Sequence, residues 1–362
     1  MHCTKEWILS EKDKNNKPLI DRLLEIRGII NEDAKREFLH PLEITLMHPN
    51  AFTDMDKATT RIKEAIDKKE NILIYGDFDA DGVTATSVLL KTIDYLGGTV
   101  DFYIPNRETE GHGMNSKSLV QILSQKKPKL IITVDNGISN VEEVKFINSF
   151  GRDVIITDHH EAPDTLPDAF AIINPKAMDA LDSSLNTKQI EYLTSLAGVG
   201  VAFKVAQGLL EKYDKLEYSI ELLPYVTVGT IADLVPLIGE NRFFVTKGLE
   251  LIANGKHYGL KRMLDVTGIN IENGLTAEQI AFTIAPRINA SGRLDSAQIA
   301  FDLLYETDDE KLDKCCATLN KYNLERQELC DKTYQEALNL IGNNKVNFFS
   351  SKIGINSLQI GS

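Results

Sequence analysis

The spacing of apolar and polar positions changes character twice along the chain. From about residue 56 to residue 175, short apolar runs rich in β-branched residues alternate with segments of helical period. The run "NILIYG" precedes "GVTATSVLLKTIDYLGG", where Gly97 and Gly98 give a helix stop. "TVDFYIP" leads through a glycine-rich loop, "NRETEGHGMN", to the helical pattern "SKSLVQILSQ". "KLIITVD" precedes "NVEEVKFINSFG". "DVIITDHH" is followed by a loop holding Pro163 and Pro167 and then by a last strand, "FAIINP". Strands separated by single helices predict a parallel sheet with helices on both faces. Upstream, "DRLLEIRGI" and "NEDAKREFLHP" read as short helices. Beyond about Thr187 the chain is mostly helical and includes a long amphipathic run from about Asp308 to Leu340. The expected fold class is α/β: an N-terminal helical arm (1–52), a sheet domain (53–250), a helical extension with a long connecting helix (251–342) and an irregular tail (343–362).

Composition narrows this only a little. A chain of 362 residues with 43% hydrophobic and 26% charged residues is ordinary for a soluble globular protein. No run approaches a membrane span, and "MHCTKEWILSEKDKNNKP" lacks the apolar stretch of a signal peptide. A cytoplasmic setting without a membrane partner is therefore expected. Cys3, Cys315, Cys316 and Cys330 show no C-x-x-C spacing, which favours reduced thiols over a zinc site. The net charge of −13 argues against a non-specific nucleic-acid coat protein. It leaves room for an enzyme that grips phosphates locally, because acids that hold divalent cations inflate the formal count.

The chemistry lies at the strand ends. Asp77, Asp79, Asp81 and Gly82 spell D-x-D-x-D-G, the opening of a calcium-binding EF-hand loop. That reading fails locally: Val88 stands where the bidentate Glu belongs, and a strand pattern precedes the loop instead of a helix. "IITVD" delivers Asp135, and "VIITD" delivers Asp158 followed by His159 and His160. In a parallel sheet the carboxyl ends of the strands share one edge, so these groups should converge there. Asp233, at the expected end of a helix, could join them. Each pair of like charges about 4 Å apart repels by roughly 4 kcal/mol at an effective dielectric near 20, so protons or cations must neutralise the cluster. Two divalent ions sharing a carboxylate fit the ligand set, and that arrangement is suited to phosphoryl transfer. Mostly oxygen ligands point to Mn2+ or Mg2+.

"YGDFDADGVTATSVL", "TVDNGIS", "ITDHH" and "GTIADLVPL" resemble, in order, the signature motifs of the DHH phosphoesterase superfamily. "LAGVGVAFK" and "PRINASGRLDSA" resemble its RecJ branch, single-strand-specific 5′-to-3′ DNA exonucleases of recombination and repair. The resemblance implies that residues 53–250 form the catalytic domain. It implies that Asp77 and Asp79 hold one ion, that Asp81, His159 and Asp233 hold the other, and that Asp135 bridges them. Asp158 would orient a ligand imidazole, and His160 would lie close to the scissile phosphate, leaving no need for a side-chain nucleophile. Arg287 and Arg293, with Asn289 assisting, would touch the DNA backbone, and Arg107 would help hold a 5′-phosphate. His112 stands where related sequences often have Tyr and receives no role. "AGVGVAFK" reads as close helix packing, since it lacks the lysine and serine of a phosphate loop. The implied partners are single-stranded DNA, a single-strand-binding protein and a recombination or repair helicase.

One departure qualifies the expectation. RecJ-like chains continue into a second domain with a Gly-Gly-His-type motif and then an oligonucleotide-binding barrel, and neither pattern occurs here. The expected protein is a shortened RecJ that keeps its metal site and has reduced activity. Two alternatives stay open: a DHH-family hydrolase of short oligonucleotides or small phosphates, and a non-catalytic replication scaffold.

Overall fold

The computed structural model describes residues 17–341, so Cys3 and the tail at 343–362 lie outside the described residues. Five strands form one all-parallel sheet: β1 (Asn71–Tyr75), β2 (Thr99–Tyr103), β3 (Leu130–Val134), β4 (Asp153–Thr157) and β5 (Ala171–Ile173). Their spatial order is β2-β1-β3-β4-β5. The direction of winding therefore reverses between β1 and β3, which opens a crevice at their carboxyl ends. Register carries straight into the acidic segments. Tyr75 lies opposite Thr133 and Val134 opposite Thr157, so the residues that follow emerge side by side.

The arm contains α1 (Leu19–Ile26) and α2 (Glu32–Leu39). The sheet region holds α3 (Met55–Asp67), α4 (Ala80–Tyr95), α5 (Ser116–Gln125) and α6 (Val141–Ser149). The helical half follows with α7 (Thr187–Thr194), α8 (Gly198–Glu211), α9 (Ser219–Ala232), α10 (Gly239–Ala253) and α11 (Tyr258–Thr267). A short α12 (Ala277–Gln279) runs through a π-turn at Ile280–Ile284 into α13 (Ala285–Leu294). The last two are α14 (Gln298–Tyr305) and α15 (Asp309–Ile341).

Side-chain alternation assigns the two sheet faces. Leu73, Tyr75, Ile131, Val154 and Ile156 pack against α5 and α6 through Leu119, Ile122, Val144 and Ile147. Ile72, Ile74, Leu130, Ile132 and Ile155 face a larger core built with α3, α4 and α8. α9 packs on α4 and α8, and α13 and α14 lie against α15. No single described helix is long and apolar enough to cross a membrane.

A buried ion pair ties the last part of the arm to this core. Lys204 of α8, with no exposed side-chain surface, donates to Glu240 Oε1 at 2.6 Å and to the Met47 carbonyl at 2.8 Å. Glu240 Oε1 also accepts from the Met47 amide at 2.6 Å. Removing one partner strands a charge out of water, at a cost of about 3–5 kcal/mol. The substitution Lys204→Met should lower urea-unfolding stability by about that amount. The double variant Lys204→Met, Glu240→Leu should recover part of the loss, and a single variant as stable as the parent would refute the pairing.

Candidate metal centre

Three strand ends and two helix starts build the site. After β1, Asp77 Oδ1 accepts from the Phe78 amide at 2.9 Å, and its Oδ2 lies 3.1 Å from His112 Nδ1. Asp79 caps α4, with Oδ1 accepting from the Asp81 and Gly82 amides at 3.0 Å each. Asp81, in the first turn of α4, is gripped by a second helix. Its Oδ2 accepts from the Gly198 amide at 2.7 Å and its Oδ1 from the Val199 amide at 2.9 Å, both in the opening turn of α8. Free amides and the positive end of the helix dipole hold the carboxylate there. Only glycine fits at 198, since a Cβ would stand 2.5 Å from Asp135 Oδ1.

Asp135 has a φ of +59°, in the left-handed region that non-glycine residues seldom adopt. Its amide still donates to the Thr157 carbonyl at 3.0 Å. The residue thus keeps the ladder while turning away from strand geometry, a strain of order 1–3 kcal/mol concentrated at the cluster. After β4, Asp158 Oδ1 accepts from the amides of His159 (2.7 Å) and His160 (3.2 Å) and lies 2.7 Å from His160 Nδ1. Asp158 Oδ2 accepts from the Ile138 amide at 3.0 Å. The imidazole that Asp158 orients is therefore that of His160.

His159 points into the acids. Its Nε2 lies 3.1 Å from Asp135 Oδ1 and 3.8 Å from Asp81 Oδ2, and its Nδ1 lies 3.7 Å from Asp233 Oδ2. Asp233 ends α9, as its position in the sequence suggested. Asp135 Oδ1 is buried and makes no hydrogen bond among the described residues despite the nearby imidazole, so its lone pairs are open to a cation. Three ligand sets have donor atoms within 4.8 Å of one another: Asp77, Asp79, Asp135; Asp81, His159, Asp233; and Asp135, His159, His160. Asp135 and His159 each belong to two sets, which is the sharing a two-ion site requires.

The electrostatics make the same demand. Burial, then the neighbouring acids, raise Asp79 and push Asp135 well above the ordinary carboxylate range. Burial and Asp79 raise Asp81 to about 7, and burial and Asp81 raise Asp233 to about 6. Burial lowers His159, which leaves a neutral imidazole with lone pairs for an ion. Burial pushes Asp158 upward, but the His160 bond and backbone amides outweigh it and leave the group below its usual value. The hydrogen bond to Asp158 raises His160. Hard oxygen donors with one or two imidazoles suit Mn2+ or Mg2+. A cleft of about 430 Å3 opens beside the cluster, lined by Asp77, His112, Asp135, Asp158 and His160 and by residues 136–140.

The arginines divide into two kinds. Arg107 follows β2 and sits over the Phe78 ring, 5.4 Å from its centroid. Arg293 is lowered by burial and by repulsion from Arg107 and Arg326, with Asp79 opposing, and its buried Nη1 has no partner among the described residues. Arg287 is engaged within the protein. Its Nε and Nη2 bond Asn320 Oδ1 at 3.2 and 2.9 Å, and its Nη1 bonds the Thr283 carbonyl at 2.7 Å. Asn289 Oδ1 accepts from the Ala80 amide at 2.8 Å and so positions the start of α4.

Sequence reasoning passed over three contributors. His112 touches Asp77, and its ring packs 4.4 Å from that of Phe78; a histidine in a glycine-rich loop after a strand was the available signal. The opening amides of α8 hold Asp81, although "AGVGVAFK" had suggested packing alone. The bond from the Ala80 amide to Asn289, a residue read only as a DNA contact, spans two distant segments and left no local trace.

Comparison with known proteins agrees with this geometry. The model of the DHH family, N-terminal domain, matches residues 71–230. The single-stranded-DNA-specific exonuclease RecJ of Bacillus subtilis strain 168 is 42% identical over 324 residues, covering 90% of this chain and 39% of that protein. A crystal structure of exonuclease RecJ bound to manganese superposes with a TM-score of 0.72 at 32% identity, covering 82% of this chain and 72% of that one. RecJ from Thermus thermophilus in complex with Mn2+ gives a TM-score of 0.71 at 30% identity, covering 86% of this chain and 43% of that one. The chain thus spans less than half the length of the Bacillus protein. On the matching sheet topology, the ordered acidic motifs and this similarity, the chain belongs to the RecJ family of DHH proteins.

Proposed function

We propose that this protein hydrolyses phosphodiester bonds at the 5′ end of single-stranded DNA, using two divalent cations, Mn2+ or Mg2+. The observation that carries the reading is the overlap of the ligand sets: Asp135 groups with Asp77 and Asp79 and again with His159, and His159 groups in turn with Asp81 and Asp233. Asp77 and Asp79 would hold one ion, and Asp81, His159 and Asp233 the other, with Asp135 serving both. Bound there, the ions would supply Lewis-acid neutralisation of phosphate charge and acidify a water molecule. The substrate class is supported by the names of the relatives, single-stranded-DNA-specific exonucleases, and by solved RecJ structures carrying Mn2+.

The chain's own groups take the remaining tasks. Asp158 engages His160 Nδ1 and the adjoining amides, which fixes the ring at the cleft edge. With its basicity raised by that contact, His160 would donate its other ring proton to an oxygen of the scissile phosphate. Arg293, and Arg107 over Phe78, would receive the terminal phosphate. Arg287 and Asn289 would act by holding α13 against α15 and α4 in register with that subsite. A cytoplasmic role in recombination or repair, with a single-strand-binding protein and a helicase as partners, extends the same reading. The proposed catalytic unit is 53–250, extended by helices at 251–342.

A nuclease assay decides between this and its alternatives. With Mn2+, a 5′-phosphorylated single strand should be shortened from its 5′ end, duplex of the same sequence should resist, and Asp135→Ala should abolish turnover while remaining folded. Equal turnover of dinucleotides and long strands would favour the short-oligonucleotide hydrolase. No turnover together with no Mn2+ binding by calorimetry would favour the scaffold.

The raised carboxylates give a second expectation. With a folded-state value of about 7 for Asp81 and about 6 for Asp233, the metal-free protein carries their protonated contribution in full below the unfolded value near 3.9. It loses that contribution as pH rises through about 6 and 7. Cations replace those protons, so the gain in melting temperature on adding Mn2+ should grow from about pH 5 to about pH 8. A gain that is flat or shrinks across that range would contradict proton–metal exchange at this cluster.

A further inference from the structure

A second cavity lies at the far ends of the helices that carry the acids. It has a volume of about 190 Å3 and is bounded by α4, α9, the α10–α11 junction and the α14–α15 junction. Lys91, on its wall, follows Asp81 by ten residues on α4, which places it about 15 Å along the helix axis from the metal cluster. The cavity is therefore separate from the site described above.

Its polar groups lack partners of the right kind. Lys91 Nζ stands over the Tyr305 ring at 4.6 Å and the Tyr225 ring at 5.7 Å, with no carboxylate in salt-bridge range among the described residues. Burial lowers its basicity, with Asp94 opposing, so an incoming anion would relieve a desolvated ammonium that rests against ring faces. His257 caps α11: its Nδ1 accepts from the Leu260 amide at 3.2 Å, which puts the ring proton on Nε2. That Nε2–H is buried and has no acceptor among the described residues. Burial and Lys91 lower His257 to about 3, so the ring is neutral at ordinary pH.

The walls suit a flat ligand. Tyr218, stacked on Tyr95 with centroids 3.8 Å apart and planes within 3°, forms part of one side, and Tyr258 stands at the rim with 65% of its surface exposed. Lys256 adds a second ammonium. Two carboxylates also line the cavity: Glu306 is paired with Lys311 at 2.9 Å, and Glu221 offers an acceptor. A ligand matching this set presents an anionic group to Lys91 and Lys256, a π-face to tyrosine, and N–H or O–H donors to Glu221. Nucleotides combine all three.

We infer that the cavity between Lys91, His257, Tyr305 and Glu221 binds a single nucleotide unit, with its phosphate toward the two lysines. The unit could be a free mononucleotide or the terminal nucleotide of a strand, and the chemistry is common to both. The inference does not depend on nuclease activity.

Calorimetry with EDTA present, so that the metal centre is not loaded, tests it. The probes are dAMP and dTMP, the matching nucleosides, inorganic phosphate, and a six-nucleotide single strand. Either mononucleotide or the short strand should bind, and Lys91→Gln should weaken that binding by about tenfold or more, the loss of one charge-assisted contact. Lys91→Arg should restore most of the affinity, and Tyr258→Ala at the exposed rim should weaken it with an unchanged melting temperature. Preference for the strand over the mononucleotides would assign the site to a strand end, and the reverse to free nucleotide. Absence of binding by any nucleotide up to millimolar concentration, affinity unaltered in Lys91→Gln, or phosphate alone binding as tightly as dAMP would overturn the inference.

Discussion

Asp79, Asp81, Asp135 and Asp233 are packed where burial and mutual repulsion both oppose their ionisation. Much of the surrounding architecture is a means of keeping them there. Asp79 is held by the start of α4, Asp81 by the start of α8, and Asp77 and Asp158 by amides of their own loops. Each of these contacts brings positive backbone dipoles to a negative group. None supplies a full opposing charge, so the cluster remains short of positive charge by a margin that divalent ions would fill.

The parallel sheet gives this arrangement its rigidity. The register that sets Val134 opposite Thr157 continues one residue further, to Asp135 and Asp158, and Asp135 turns only there into its left-handed conformation. α13 adds a constraint from the helical half through Asn289 on Ala80 and through Gly292, where a Cβ would meet the Phe78 carbonyl at 2.3 Å. A displacement of α13 would therefore be felt at Asp79. The site is a junction between the sheet and the helical half, although all of its strand-borne acids come from the sheet side.

The sheet and most of the acid cluster were legible because they depend on local pattern. Apolar β-branched runs that end in Asp are strands whose last residue faces the ligand edge, and five of the proposed ligands follow from that rule. Asp233 depended on a helix end, which is less firmly read, and the structure places it 3.7 Å from His159. Legibility failed where a contact joins segments with no shared period. Gly198 and Val199 bind Asp81 across a gap of more than a hundred residues, and apolar helix sequence gives no sign that its first amides are committed. Arg287 shows a second kind of hidden contact. It was assigned to DNA by its place in "PRINASGRL", but its donors meet Asn320 on α15, a partner that only the fold could reveal.

The bulk charge of −13 can now be read in place. The acids form one pole at the cleft, while Arg107, Arg293 and Arg326 form another nearby, where burial and then repulsion from its two neighbours depress Arg293. Each pole is unfavourable alone: one lacks cations, the other lacks an anion. In the proposed reading, ions on the first and a terminal phosphate on the second relieve both repulsions at once, and the pull between Arg293 and Asp79 links the two. Affinity for a strand would then come from a few desolvated contacts in the cleft. A field spread over the surface would be of the wrong sign for a polyanion.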